Sequence, residues 1–157
     1  MPIVDPSEMK LALAPRARLL GFDLGTKTIG LAVSDSMLMV SSPLETLRRS
    51  KFTTDAETLL ALIAEKEVGG LVLGLPRNMD GSEGPRAQST RAFANNMAGK
   101  TDLPVTFWDE RLTTAEAERV LIDEADMNRK RRGEVIDKMA AQFILQGALD
   151  FLGNMGS

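Results

Sequence analysis

Four acidic residues lie where the hydrophobic pattern of the sequence predicts that strands end or a helix begins. They are Asp23, Asp109, Glu110 and Asp137. The 157-residue chain contains no His and no Cys, which excludes Ser-His-Asp and Cys-His catalysis and disfavours a zinc site. Carboxylate oxygens are the ligands that Mg²⁺ and Mn²⁺ prefer. Because two such ions about 4 Å apart activate water and stabilise the leaving oxygen of a phosphodiester, the residue types predict metal-dependent hydrolysis.

Local evidence alone leaves two interpretations for each acidic residue. Asp23 precedes the Gly25 turn at the end of a strand, where open α/β sheets bind ligands; the alternative is that it caps that turn. Asp109 and Glu110 are successive strand residues that face opposite sides, so at most one is expected to join Asp23. The pair could instead favour the dipole of a following helix. Asp137 lies at the rim of the apolar stripe of the last predicted helix, from which it can reach the edge of the sheet. The alternative is that it only provides the negative charge that the first turn of a helix favours.

Several basic residues are candidates for contact with nucleic-acid phosphates. The formal net charge of −3 excludes a uniformly basic surface but not a local basic patch. The loop 76–86 precedes a predicted helix N-terminus, where exposed N–H groups favour anions, and the basic run 129–132 suits backbone phosphates. The alternatives are a capped surface loop and a solvated, mobile run. The candidate contacts are Lys27, Arg77, Asn78, Arg86, Arg111, Arg129, Lys130, Arg131 and Arg132.

Apolar segments and turn residues predict five strands and four helices. RLLGFDL and TIGLAVSD are predicted strands, and the Gly25-Thr26-Lys27 turn between them is so short that they must be antiparallel neighbours. GGLVLGLP is apolar throughout, as expected for a strand covered on both faces, and LPVTFWDE is the fifth strand. The order β-β-β-α-β-α-β-α-α predicts an α/β domain with a mixed sheet and helices on both faces. The other predicted elements are a third strand at 38–47, helices at 54–66, 85–98 and 113–123, a basic loop at 125–133 and a last helix at 134–152; capping boxes at Thr54–Glu57 and Thr113–Glu116 open the first and third helices.

Length and composition fit one domain. A chain of 157 residues buries a core without disulfides, and the 43% hydrophobic and 26% charged fractions are ordinary for a globular protein. We expect an N-terminal extension of uncertain order at 1–17, one domain at 18–152 and a C-terminal tail at 153–157. The N-terminus lacks the order of a signal peptide, and no apolar run reaches the length of a membrane span. A cytoplasmic location without a membrane partner is therefore expected.

Four segments together resemble a known family. LLGFDLGTKTIGLAVSD, GLPRNMDGSEGPRAQ, DERLTTAEAERVL and DKMAAQFILQGALD resemble, in order and spacing, the YqgF family, also called RuvX. This family is related to the RuvC Holliday-junction resolvases within the ribonuclease H-like superfamily. The resemblance covers about residues 18–152, and the second and third segments are its specific part. It implies a ribonuclease H-like domain with a five-stranded mixed sheet, a cytoplasmic location, and a nuclease that matures the 5′ end of pre-16S ribosomal RNA.

The resemblance also implies a set of metal ligands. Asp23 matches the metal ligand of the first strand, Asp137 matches the aspartate of the last helix, and the DER segment supplies the acidic group of the fifth strand. We prefer Glu110 for that group, with Asp109 as its substitute. The resolvases carry an acidic residue at the end of the fourth strand, whereas this chain has Gly74-Leu75-Pro76 there, which weakens the prediction of junction resolution.

Other functions remain open on the sequence alone. One alternative is a Holliday-junction resolvase acting as a dimer on structured DNA. Another is a non-catalytic RNA-binding factor in transcription or ribosome assembly. DLGTKTIG also resembles the first phosphate loop of the actin and sugar-kinase superfamily, but the chain is too short for the two domains those enzymes need. The sequence does not decide between a monomer and a homodimer.

Overall fold

A five-stranded sheet with helices on both faces forms the body of the protein. The computed structural model describes residues 3–110 and 129–155, with side chains for all of these except 129–138 and Met155. The elements in chain order are α1 Pro6–Ala12, β1 Arg18–Leu24, β2 Thr28–Ser34, β3 Ser41–Arg48, α2 Phe52–Glu65, β4 Val68–Leu75, α3 Pro85–Ala98, β5 Val105–Asp109 and α4 Arg129–Met155. The predicted helix at 113–123, with its capping box at Thr113–Glu116, lies outside the described residues.

The strand order is β3-β2-β1-β4-β5. β1 pairs with β2 and β2 with β3 in antiparallel fashion, as the short turn after β1 requires. β1 pairs with β4 and β4 with β5 in parallel. The predicted ribonuclease H-like fold with a mixed sheet is therefore confirmed. Because parallel strands run in the same direction, β1, β4 and β5 end at the same edge of the sheet.

Alternation along β1 divides its side chains between two cores. Leu20 and Phe22 pack with α2 and α3 on one face of the sheet. Leu19 packs in the core that contains α4 on the other face, and a Cβ built on Gly21 would lie 2.7 Å from the Cβ of Leu145 in α4. Asp23 follows Gly21 by two residues and so faces the α4 side, at the end of the strand.

Two helices begin at residues other than those predicted. The prediction that Thr54 caps α2 is wrong, because the helix already begins at Phe52 and the carboxylate of Asp55 accepts hydrogen bonds from the backbone N–H and hydroxyl of Ser50 at 3.1 and 2.9 Å. The predicted basic loop is wrong at 129–133, since α4 begins at Arg129. Arg and Lys are strong helix formers, which explains why the basic run continues the helix. α4 also extends beyond its predicted end at 152, to Met155.

The described N-terminal segment, from Ile3, contacts the sheet. Ile3 forms a parallel bridge with Val105 of β5, and the N–H of Val4 donates to the carbonyl of Val105 at 2.8 Å. Asp5 then caps α1 in a reciprocal capping box with Glu8. Met9 of α1 is 1% exposed and packs in the α4-side core. None of the helices in the described parts of the chain combines the length and hydropathy needed to cross a membrane.

Candidate active site

Two carboxyl groups meet at the edge where β1, β4 and β5 end. Asp23 lies near the end of β1, and Glu110 follows β5 directly; their side chains share a hydrogen bond. Burial raises the pKa of Glu110 to about 7, and the charge and hydrogen bond of Asp23 act in the same direction. The positive charge of Arg86 opposes this rise, and Asp109 adds a smaller contribution to it. At neutral pH the pair therefore shares one proton for part of the time.

Gly74, in the strand between these two carboxyl groups, makes room for Glu110. A Cβ built on Gly74 would lie 2.7 Å from Oε1 and 3.1 Å from Cγ of Glu110. The same Cβ would overlap Cδ1 of Ile144, which approaches from α4. The side chain of Glu110 thus covers the end of β4, where the resolvase pattern has a carboxylate and this chain has none.

We expect Gly74→Ala to destabilise the protein, because Ile144, which is 2% exposed, and Glu110, which is hydrogen-bonded to Asp23, would both have to shift. Overpacking of this kind costs about 1–3 kcal/mol. Gly99→Ala is the matched control: its Cβ would meet only backbone oxygens, at 3.4 and 4.0 Å, while the change in the unfolded chain is the same. Urea denaturation in the presence of EDTA measures the free energy of unfolding of each variant. Equal stability of the two variants would contradict the close approach of Glu110 and Ile144 to Gly74.

Two sequence-predicted phosphate contacts, Arg86 and Lys27, have interactions at this edge. Arg86 lies in the first turn of α3, and its Nη2 donates to the carbonyl of Leu24 at 3.1 Å, next to Asp23. Lys27 is exposed in the turn between β1 and β2, and its carbonyl accepts from the N–H of Arg49 at 2.9 Å. Both residues therefore lie close to the end of β1.

Arg77 and Asn78 take part in bonds within their own loop. Nη2 of Arg77 lies 3.6 Å from Oε2 of Glu83, and Nδ2 of Asn78 donates to the hydroxyl of Ser82 at 3.0 Å. Arg91 binds Glu83 with two hydrogen bonds, of 2.6 and 2.7 Å, and this pairing holds the pKa of the Glu83 carboxyl below its usual value. These contacts lie within the loop between β4 and α3 and connect it to Arg91 of α3.

Asp109 lines a different part of the surface from Glu110. It borders a cavity of about 300 Å³ with Arg77, Trp108 and Phe151, among others. Glu110, which follows the last residue of β5, is the one of the two whose side chain is hydrogen-bonded to Asp23. The geometry thus supports the preference for Glu110.

Six predicted site residues lie outside the part of the chain whose side chains the structure describes. Arg111 lies outside the described residues, and the side chains of Asp137, Arg129, Lys130, Arg131 and Arg132 are not described, although α4 contains their backbone. Among the side chains that are described, no group of three or more acidic residues could hold a metal ion. Asp23 and Glu110 are therefore a pair to which α4 could add a third ligand.

Arg49 is a residue of this edge that the sequence did not reveal. Its Nη1 donates to the carbonyl of Gly25 at 2.7 Å, and its Cζ lies 5.8 Å from the centre of the Phe93 ring. Arg49 follows β3 and is 26 positions from Asp23 in the sequence; only the pairing of β3 with β2 and of β2 with β1 brings it to the turn. No local motif marks it.

Known proteins share both the sequence and the fold of this chain. A family model described as "RuvX: Holliday junction resolvase" matches residues 17–151. The chain is 62% identical to a protein of Ruegeria pomeroyi named "Putative pre-16S rRNA nuclease", over 148 residues covering 94% of this chain and 96% of that protein. A protein of the same name from Paramagnetospirillum magneticum is 58% identical over 150 residues, covering 96% of each chain.

A solved structure shares the fold at much lower identity. RuvC of T. thermophilus in complex with a Holliday junction substrate superposes with a TM-score of 0.58 over 90% of this chain and 97% of that one, at 14% identity. This likeness concerns the fold alone. The family model covers most of the sequence, and relatives about 60% identical match it nearly from end to end. The chain therefore belongs to the RuvX family.

Proposed function

We propose that this protein is a metal-dependent nuclease that hydrolyses phosphodiester bonds in precursor 16S ribosomal RNA, at its 5′ end. Asp23, Glu110 and Asp137 form the metal-binding set in this proposal. The observation that carries it is the contact between Asp23 and Glu110, in which the pKa of Glu110 rises to about 7. Relatives named as pre-16S rRNA nucleases, at about 60% identity, support the choice of substrate.

The carboxylate pair suits a divalent cation for electrostatic reasons. Two negative charges in a partly buried site repel each other, and either a shared proton or a cation relieves the repulsion. Hard oxygen ligands favour Mg²⁺ or Mn²⁺. When bound, these cations supply an activated water and stabilise the oxygen that leaves the phosphorus.

The backbone of α4 supports a role for Asp137. Position 137 precedes Ile144 by seven residues, or about two helical turns, and so shares its face of the helix. Ile144 in turn reaches Gly74, beside Glu110. This face of α4 is therefore directed towards the edge of the sheet where the carboxyl groups meet.

Positive charge near the site suits a polyanionic substrate. Arg86 lies close enough to Glu110 to lower its pKa against the effect of burial. The basic run 129–132 opens α4, the helix that also contains Asp137. In a chain of net charge −3, such local groups would provide the contacts to backbone phosphates, and the affinity would fall as salt rises.

The second candidate is a Holliday-junction resolvase that acts as a homodimer. The description of the family model favours it. The absence of a carboxylate from the end of β4 speaks against a resolvase of the RuvC pattern, although Glu110 covers the same place. We place the protein in the cytoplasm, where a precursor of ribosomal RNA would be its partner.

A cleavage assay with two substrates tests the proposal. The full-length protein is incubated with a labelled precursor 16S transcript or a four-way DNA junction, in Mg²⁺, Mn²⁺ or EDTA, and its oligomeric state is measured by sedimentation. We expect cleavage of the transcript near its 5′ end that requires the metal. Cleavage of the junction alone, by a dimer, would support the resolvase. A folded protein that binds the transcript and cuts neither substrate would support the RNA-binding factor and contradict the nuclease.

A further inference from the structure

A cavity opens at the turn that follows Asp23. Its volume is about 180 Å³, which is room for several water molecules or a phosphate group. The turn between β1 and β2, the end of β3 and the first turns of α3 enclose it. The polar residues that line it are Thr26, Arg49, Arg86, Ser89 and Thr90, and none of its lining residues is acidic. We call it the arginine pocket.

Each of the two arginines of this pocket donates a hydrogen bond to a backbone carbonyl of the turn after Asp23. Arg49 donates from Nη1 to the carbonyl of Gly25 at 2.7 Å, and its guanidinium lies over the ring of Phe93. Arg86 donates from Nη2 to the carbonyl of Leu24 at 3.1 Å. A guanidinium has five N–H donors, and each of these bonds uses one of them. These two bonds leave further N–H donors on each guanidinium for a ligand.

This arrangement suits an anion with several oxygen atoms. Two guanidinium groups on different elements border one cavity, and their planar forks match the geometry of phosphate oxygens. The hydroxyl groups of Thr26 and Ser89, both exposed residues, add further donors. Leu24 and Gly25 directly follow Asp23, and the charge of Arg86 acts on the pKa of Glu110, so an anion in the pocket would lie across the end of β1 from the carboxyl pair.

We propose that the arginine pocket binds a backbone phosphate of the nucleic-acid strand, adjacent to the phosphodiester at the carboxyl groups. This inference rests on the proposed function, because it places the strand relative to Asp23 and Glu110. It adds Arg49 to the residues that bind the substrate. The bonds to Leu24 and Gly25 also connect the pocket with the turn that orients Asp23, so a phosphate bound there would hold that turn in place.

Single neutral linkages in the strand test the pocket directly. The probe is a 2′-O-methyl RNA oligonucleotide that spans the 5′ processing site, with one methylphosphonate at each linkage in turn. Binding to the full-length protein is measured in EDTA by fluorescence anisotropy, so that no cleavage occurs. We expect one methylphosphonate position to weaken binding to the wild type by about tenfold, as the loss of one charge-assisted hydrogen-bonded contact would.

Arg49→Gln and Arg86→Gln identify the protein side of that contact. Each is expected to weaken binding of the unmodified probe by about tenfold and to abolish the sensitivity at that one linkage. Each should also lower the slope of log affinity against log salt by about 0.7, the value for one phosphate of a single strand. Arg48→Gln, an exposed arginine one residue from Arg49, is the matched control and should keep both the affinity and the sensitivity. Thermal melting confirms that the variants fold; Arg86 is exposed, which keeps one variant available if the other is unstable.

The outcomes separate this inference from the proposed function. Unchanged sensitivity in both variants, or an equal loss in Arg48→Gln, would overturn the arginine pocket, as would an oligonucleotide that does not bind. A wild type that shows the expected position-specific effect but never cleaves RNA would overturn the nuclease while leaving the pocket in place. If the wild type cleaves RNA and both variants bind the probe as the wild type does, the arginine pocket would be overturned and the nuclease would stand.

Discussion

Asp23→Asn is expected to lower the rate of metal-dependent cleavage by about 100-fold or more, while the protein stays folded and becomes no less stable. Removing a residue that hydrogen-bonds to a metal ligand lowers activity by about 10- to 100-fold, and loss of a ligand itself should lower activity further. Stability should hold or rise because the amide no longer repels Glu110. Single-turnover cleavage of the precursor transcript in Mg²⁺ measures the first effect, and thermal melting in EDTA measures the second.

Three further variants make this result specific. Glu110→Gln should lose activity to a similar extent. Asp109→Asn should lose much less activity, because Asp109 borders the cavity that Trp108 and Phe151 line. Asp102→Asn changes an exposed aspartate before β5 and controls for the loss of one negative charge. If Asp23→Asn cleaved as fast as Asp102→Asn, Asp23 would not be a metal ligand of the reaction.

The metal-free protein should lose stability as the pH rises from about 4.5 to 7. The ordinary pKa of a glutamate is 4.5, and in the folded protein the pKa of Glu110 is about 7. Between these values the folded state retains a proton that the unfolded chain releases, so the free energy of unfolding falls as pH rises and levels off above pH 7. After allowance for the partial exposure of this group, we expect a loss on the order of 2 kcal/mol.

Urea denaturation in EDTA at pH 5 and at pH 7.5 measures this loss. Glu110→Gln should remove most of it, whereas Glu57→Gln, on an exposed part of α2, should leave it unchanged. The carboxyl groups of Asp35 and Glu83 have lowered pKa values, so their contributions change at more acidic pH and do not obscure the effect. Added Mg²⁺ should stabilise the protein more at pH 7.5 than at pH 5, because the cation competes with the shared proton. Stability that is flat or rises over this range would contradict the close carboxyl pair.

Local patterns predicted the parts of the fold that depend on neighbouring residues. The apolar run ending at Asp23 and the three-residue turn after it fix β1, β2 and their antiparallel pairing. Strand alternation predicted that at most one of Asp109 and Glu110 faces Asp23, but the residues alone did not decide which. That choice depends on where β5 ends relative to β4, a register that only the paired sheet defines.

Features that depend on distant contacts were not predictable. Arg49 reaches the turn after Asp23 through two successive strand pairings, and no pattern near it indicates that contact. The room that Gly74 provides for Glu110 likewise requires the packing of α4 on the sheet. The start of α2 differed because a buried side chain, Asp55, bonds backward to Ser50 instead of a threonine capping forward.

The pairing of Ile3 and Val4 with β5 has a consequence for self-association. An edge strand with unpaired backbone N–H and C=O groups can pair with a strand of another chain, and aggregation often begins there. Here Ile3 and Val4 pair with Val105 at the start of β5, on one side of the sheet. On the opposite side, β3 contains Pro43, which has no N–H to offer. Both edges of the sheet thus carry a feature that discourages pairing with a strand of a neighbouring molecule.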